Sequence, residues 1–211
     1  MLPMAMCCAA LLLHAETLDR IAVTVGKQVI AESQVVRDIR ISAFLDRKPV
    51  DLSSDGKRKS AERLVDQLLL LHEAADSRVT LPGEAESARL LAQVKSQYAS
   101  DAEYRGALAK YNITEQELSA HLLAGLRTLQ FTELRFRPEV QVSEDDLREF
   151  YQLYAAGFRR PDTGQAPSFE ESREQVQKLL VDRKVIETLD AWLSATRTQI
   201  GVEYRDRVFP K

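Results

Sequence analysis

Residues 57–79, KRKSAERLVDQLLLLHEAADSRV, decide the fold of this chain. Their apolar residues recur at the three- and four-residue spacing of a helix. The main stripe contains Ala61, Leu64, Leu68, Leu71 and Ala75, and Val65, Leu69 and His72 lie beside it. The leucine run 68–71 makes the middle of the helix apolar on every side, which is typical of a helix buried among several partners. We therefore predict a central core helix about 30 Å long.

The composition indicates a folded, helix-rich protein. The chain has 211 residues, of which 45% are hydrophobic, and it contains only 8 glycines and 7 prolines. This length allows one large domain or two small ones, and our prediction is one domain over residues 16–211. The net charge is −3 and there is no long basic tract, so we expect no nucleic-acid partner. The four-leucine run is far shorter than the roughly 20 apolar residues of a membrane span, so we do not expect an integral membrane protein.

The cysteines and histidines predict neither a disulfide framework nor a metal site. The two cysteines are the adjacent pair Cys7 and Cys8, and the three histidines, His14, His72 and His121, lie far apart in the sequence. We expect His72 at the edge of the core, and we expect no metal and no cofactor.

Residues 1–15, MLPMAMCCAALLLHA, form a short apolar stretch that resembles a secretory signal peptide with cleavage after Ala15. The stretch lacks Lys and Arg, and Leu13 stands at position −3, where a small residue is typical. We favour export of the chain. The alternative is an irregular cytoplasmic N-terminus.

Short strands are predicted at both ends of the remaining chain. Alternation in residues 21–32 predicts a hairpin with a tight turn at Gly26, and residues 200–204, IGVEY, predict an edge strand. Because two strands alone are marginally stable, we expect the C-terminal strand to join the hairpin. The predicted fold class is mostly α, with a small antiparallel sheet formed by the N-terminal hairpin and the C-terminal strand.

Helix signals fill the chain between these strands. Beside the central helix, we predict helices at 33–47, 84–99, 102–110, 114–136, 143–157 and 168–198. Four of them follow capping-box patterns, which begin at Ser100, Thr114, Ser143 and Ser168. The predicted inward residues are Val36, Ile39, Ala43 and Phe44 on the first of these helices, and Val176, Leu180, Ile186, Leu189 and Leu193, with Trp192 beside them, on the last. The last helix should pack back against the central helix.

Several segments, taken in order, resemble the SurA family of periplasmic chaperones. They are the hairpin IAVTVGKQVIAES, the helix RLVDQLLLLHEA, the break VTLPGEAE, the segment RPEVQVSEDDLREFY and the C-terminal stretch PSFEESREQVQKLLVDRKVIETLDAWLSATRTQIGVEYRD. The resemblance covers about residues 18–206 and concerns the chaperone module that the family builds from its N-terminal region and its C-terminal helix. It implies a periplasmic, ATP-independent chaperone for unfolded exported proteins, outer-membrane proteins above all.

One departure from that family bears on activity. The family carries one or two parvulin-type prolyl isomerase domains between the segments that correspond to VSEDDLREFY and PSFEE. Here residues 151–167 alone separate them, and residues 159–167, RRPDTGQAP, predict a short loop. The resemblance therefore implies client binding and argues against isomerase activity. Paired acids such as Glu170 and Glu171 lie at predicted helix N-termini, where the helix dipole accounts for them, so we expect no enzyme.

Aromatic residues are the candidate client-binding residues. Phe150, Tyr154 and Phe158 recur every four residues and so share one helix face. They either pack into the domain or form an exposed platform next to the missing insert, where aromatic side chains suit the binding of varied peptides. Tyr98, Tyr104 and Tyr111 are weaker candidates, for which core packing is the alternative.

Three hypotheses remain open from the sequence. The first is a chaperone that binds client peptides weakly and at several points. The second is a non-catalytic assembly subunit whose groove is filled by one dedicated partner or by a second copy in a homodimer. The third, which we favour least, is a peptidyl-prolyl isomerase.

Overall fold

A computed structural model describes residues 19–154, 157 and 167–209 of the chain. The described residues form seven α-helices and one three-stranded antiparallel sheet, which confirms the predicted mostly helical fold with a small sheet of the N-terminal hairpin and the C-terminal strand. The signal-like segment 1–15, Phe158 and most of the predicted loop 159–167 lie outside the described residues.

The sheet joins the two ends of the described chain, as predicted. Strand β1 (Ile21–Val25) lies in the middle, between β2 (Gln28–Ala31) and β3 (Val202–Tyr204), and both neighbours run antiparallel to it. The β1–β2 turn depends on Gly26, whose φ of 55° is strained for any residue with a Cβ atom. The Gly26 N–H donates to the carbonyl of Gly201, which ties this turn to the chain just before β3.

The predicted central helix is confirmed as α2 (Ser54–Asp76). It begins at the cap Ser53, whose hydroxyl accepts a hydrogen bond from the Gly56 N–H. The predicted inward stripe was only partly right. The fully buried apolar residues of α2 are Ala61, Val65, Leu69, Leu70 and Ala74. Ala75 and His72 are exposed, because the sheet and the neighbouring helices pack against a face rotated from the predicted one.

The other helices begin and end close to the predicted positions. They are α1 (Glu32–Asp46), α3 (Glu84–Lys95), α4 (Asp101–Tyr111), α5 (Glu115–Phe136), α6 (Glu144–Tyr154) and α7 (Phe169–Ile200), and a 3-10 turn, Arg137–Glu139, follows α5. Helix α3 ends four residues before the predicted position 99. All four predicted caps form. The cap at Ser100 differs in one detail: the Glu103 carboxylate accepts a hydrogen bond from the Ala99 N–H, not from the N–H of Ser100.

The buried residues of the described part of the chain form three apolar clusters. The main cluster joins the sheet to α1, α2, α7 and the end of α5, and includes Phe131 and Phe136. A second cluster around Phe44 joins the end of α1 to α3, α4 and the start of α5. A third, around Leu147, joins α6 to the first half of α7. Helix α7 contributes to two of these clusters and so connects them.

Two predicted inward positions were wrong. In α1 the residues Val35 and Ile41 are buried, whereas Val36 is only half-buried. In α7 the residue Val185 is buried in the main cluster, whereas Ile186 is 57% exposed. The remaining predicted residues of the two helices face inward as expected, with Leu189 and Trp192 half-buried; the buried ones are Ile39, Ala43, Phe44, Val176, Leu180 and Leu193.

Candidate functional site

A groove of about 690 Å³ lies between α2, α5 and α7. Helix α2 contributes Arg63, Asp66, Gln67 and Leu70; α5 contributes Gly125, Thr128, Leu129, Thr132 and Glu133; α7 contributes Lys178, Asp182, Val185, Ile186, Leu189, Asp190 and Leu193; and Arg137 lies at one end. A volume of this size is within the range of about 300–1,000 Å³ in which proteins bind small ligands or side chains of partners.

The groove is apolar at its base and on two facing walls. Leu70, Val185 and Leu193 are buried residues of the main cluster that also line the groove. On the walls, Leu129 of α5 is 61% exposed and Ile186 of α7 is 57% exposed. Large apolar side chains facing each other across an open groove are typical of a surface that binds an apolar partner.

Arg137 fixes one end of the groove. Its Nε donates to the Glu133 carboxylate on α5, and an amino nitrogen of the same guanidinium donates to Asp182 Oδ1 on α7 at 2.6 Å. These hydrogen bonds raise the pKa of Arg137 above its usual value, those to Glu133 most. The two walls of the groove are therefore joined through one side chain.

The opposite end is acidic. Asp66 of α2 forms an ion pair with Arg197 of α7. Burial raises the pKa of Asp66, the paired Arg197 opposes that effect, and nearby Asp190 adds to it. Two carboxylates, one of them half-buried, therefore lie near each other at this end of the groove.

A buried polar network lies beside the groove and was missed in the sequence. Asp38 of α1 accepts a hydrogen bond from Arg63 at 2.5 Å, and Ser60 Oγ lies 2.7 Å from the same carboxylate oxygen. His121 Nδ1 lies 3.6 Å from the other oxygen of Asp38. Burial lowers the pKa of His121, whereas the Asp38 charge opposes this effect. No motif signals the network, because its members come from three helices.

Ser60, Asp38 and His121 do not form a hydrolytic triad. In such a triad the histidine lies between the serine and the acid and accepts the serine proton. Here the acid lies between the other two, and the Ser60 hydroxyl is also 3.1 Å from the Val35 carbonyl. Ser60 is fully buried, so a substrate does not reach its oxygen. The network joins α1, α2 and α5 and supports the groove wall that carries Arg63.

The predicted aromatic stripe is only partly within the described residues. Phe150 is half-buried against the third cluster, and its ring centre lies 4.6 Å from that of Tyr154. Tyr154 is 44% exposed, and its hydroxyl accepts a hydrogen bond from Arg183 of α7 at 2.7 Å. Phe158 is outside the described residues. Neither Phe150 nor Tyr154 lines the groove, and their part in client binding stays a prediction.

The three predicted tyrosines pack around Phe44 in the second cluster. The ring centres of Tyr98, Tyr104 and Tyr111 lie 6.1, 6.4 and 5.7 Å from that of Phe44. Tyr104 is 1% exposed, and burial raises its pKa to about 12. For Tyr104 this is core packing, since a buried ring offers no surface to a client. Tyr98 and Tyr111 are half-buried, and their part in client binding stays a prediction.

The described ranges contain neither a metal-binding cluster nor a membrane-spanning helix. No three His, Cys, Asp or Glu side chains there come together in a way that would hold a metal ion. None of the described helices is both long enough and apolar enough to cross a bilayer. No protein-family model matches the chain, and no curated protein is significantly similar to it.

Proposed function

We propose that this chain is an ATP-independent chaperone of the SurA type, which binds apolar segments of unfolded exported proteins in the groove between α2, α5 and α7. The observation that carries the proposal is the open apolar lining of the groove. Leu129 and Ile186 face it from opposite walls while more than half exposed, above a buried apolar base. A client segment would cover both side chains and remove their apolar surface from water.

The SurA-like order of elements supports the same proposal. In that family a hairpin near the N-terminus and the C-terminal end of the chain belong to one chaperone module, and here β3 pairs with β1. The periplasmic location and the outer-membrane clients follow from this resemblance and from the signal-like residues 1–15. The short interval between α6 and α7 supports the proposal that the chain has no isomerase activity.

A light-scattering assay tests the proposal. An outer-membrane protein unfolded in urea is diluted into buffer with and without the purified chain, and its aggregation is followed over time. We expect suppression near an equimolar ratio for the wild-type chain. If the folded, monodisperse chain leaves aggregation unchanged, the chaperone proposal is wrong.

A dedicated partner is the second candidate function, because the exposed Leu129 and Ile186 would equally suit one permanent interface. Under this alternative the groove would be filled by a fixed subunit or by a second copy of the chain. Light scattering after gel filtration distinguishes the two: a stable dimer without affinity for unfolded polypeptide favours this alternative. A proline-limited refolding assay checks the third hypothesis, and we expect no acceleration.

A further inference from the structure

The charges that line the groove are not evenly balanced. At the end formed by the last turn of α5, Arg137 is paired with Glu133 and Asp182, and Lys178 lies one turn earlier on α7. This end therefore carries two positive and two negative side chains. Its summed charge is close to zero.

The opposite end retains a negative charge. Here Asp66 is paired with Arg197, and Arg63 is paired with Asp38. Asp190 also lines this end and forms no ion pair with any residue that the structure describes. Asp66 and Asp190 both line this end, and their charges repel each other, since Asp190 adds to the rise that burial causes in the pKa of Asp66. A cation brought by an occupant would be favoured at this place.

The length of the groove sets the size of the occupant. Lys178 and Asp190 are twelve residues apart on α7, which corresponds to about 18 Å along the helix axis. An extended segment rises about 3.3 Å per residue, so five or six residues span this distance. The apolar lining between the two ends includes Leu129, Val185, Ile186 and Leu189.

We propose that the groove selects apolar client segments that carry a lysine or arginine at one end, which binds against Asp190 and Asp66. This inference rests on the proposed function and names the class of segment that the chaperone binds. The physical reason is charge complementarity, because Asp190 and Asp66 both line this end and, within the described ranges, only Asp66 has an ion-pair partner, Arg197. An acidic residue at the same place would be repelled.

Three synthetic peptides test the inference against the wild-type chain. Each has the same five apolar residues, neutral capped termini and a neutral fluorophore, and they differ only in one end residue, which is Lys, Gln or Glu. Binding of trace peptide is followed by fluorescence anisotropy as the chain is titrated. We expect the Lys peptide to bind about three- to tenfold more tightly than the Glu peptide at low salt, with the Gln peptide between them. The difference should shrink at 1 M salt, where the screening length is about 3 Å.

Two charge-neutralising variants locate the effect. In Asp190→Asn the preference for Lys over Glu should fall to less than half of its wild-type value. Glu174→Gln is the matched control, since Glu174 is an exposed acid on the same helix that does not line the groove. It should keep the full preference. Both positions are exposed, so both variants should fold normally.

The outcomes separate the inference from the proposed function. Equal binding of the three peptides overturns the charge inference and leaves client binding in place. A preference that Asp190→Asn retains in full overturns the assignment to this end of the groove. Failure of all three peptides to bind overturns the inference. If the chain also leaves the aggregation of the unfolded outer-membrane protein unchanged, the proposed function is overturned with it, and a doubled mass in light scattering would then favour a second copy as the occupant.

Discussion

Leu129→Ser gives the sharpest test of the groove. Leu129 is 61% exposed, and full burial of a leucine side chain contributes about 1.5–3 kcal/mol. A client that covers the exposed part therefore gains about 1–2 kcal/mol from this side chain, which serine does not provide. We expect peptide binding to weaken about five- to thirty-fold. The smaller part of Leu129 that is already buried predicts a loss of folding stability of about 1 kcal/mol or less.

Leu134→Ser is the matched control for this variant. Leu134 lies on the same helix, is 49% exposed and does not line the groove. Both substitutions exchange the same side chain, so they share the change in helix propensity and have similar effects on stability. Dissociation constants come from the anisotropy titration and stabilities from urea unfolding. If the two variants weaken binding equally, or if neither does, the groove between α2, α5 and α7 is not the binding site.

Three further predictions concern the fold that holds the groove. Gly26→Ala should lower the free energy of unfolding by about 1–2 kcal/mol in urea titrations, because φ at this position is 55° and a Cβ atom would lie 2.9 Å from Ile200 Cγ2. Ser168→Ala removes the cap of α7 and should lower the same free energy by about 1 kcal/mol, whereas Ser168→Asp should keep most of it. Burial lowers the pKa of His121 in the folded chain below its ordinary value of about 6.5. The unfolded chain therefore binds more protons at this residue, and stability should fall as the pH drops below about 6.5. His121→Gln should remove that part of the pH dependence between pH 7 and 5.5, and an unchanged slope would contradict the argument for the burial of His121 beside Asp38.

Local signals made most element boundaries predictable. The caps at Thr114 and Ser168 place the starts of α5 and α7 within one residue, because a side-chain oxygen and a carboxylate three residues later satisfy free amides at a helix start. The alternation in β1 and the turn at Gly26 likewise depend on neighbours in the sequence. The prediction that β3 joins the hairpin succeeded because two strands alone lack a stabilising partner.

The groove was not predictable by the same means. It depends on which face of each helix turns inward, and Ile186 shows how small the difference is. Its neighbour Val185 is buried in the main cluster, whereas Ile186 lines the open wall. Both are β-branched and apolar, so periodicity alone does not separate them. Aromatic residues were predicted to bind clients because large rings suit varied peptides. In the structure Tyr104 is buried in the second cluster, and the exposed residues of the groove walls, Leu129 and Ile186, are aliphatic.

The energetics of the groove indicate how such a chaperone would act. Leu129 and Ile186 together offer about 2–4 kcal/mol to a client that covers them, and the apolar base adds a further contribution. Association itself requires about 4 kcal/mol or more for lost translational and rotational freedom. One segment in one groove should therefore bind weakly. A net binding free energy of about 4 kcal/mol, for example, corresponds to a dissociation constant near 1 mM. Effective retention then needs several segments of one client to bind several chaperone molecules, since linked contacts multiply the apparent affinity. Because each contact would remain weak, each segment would be released rapidly, which would allow a client to leave and fold without ATP.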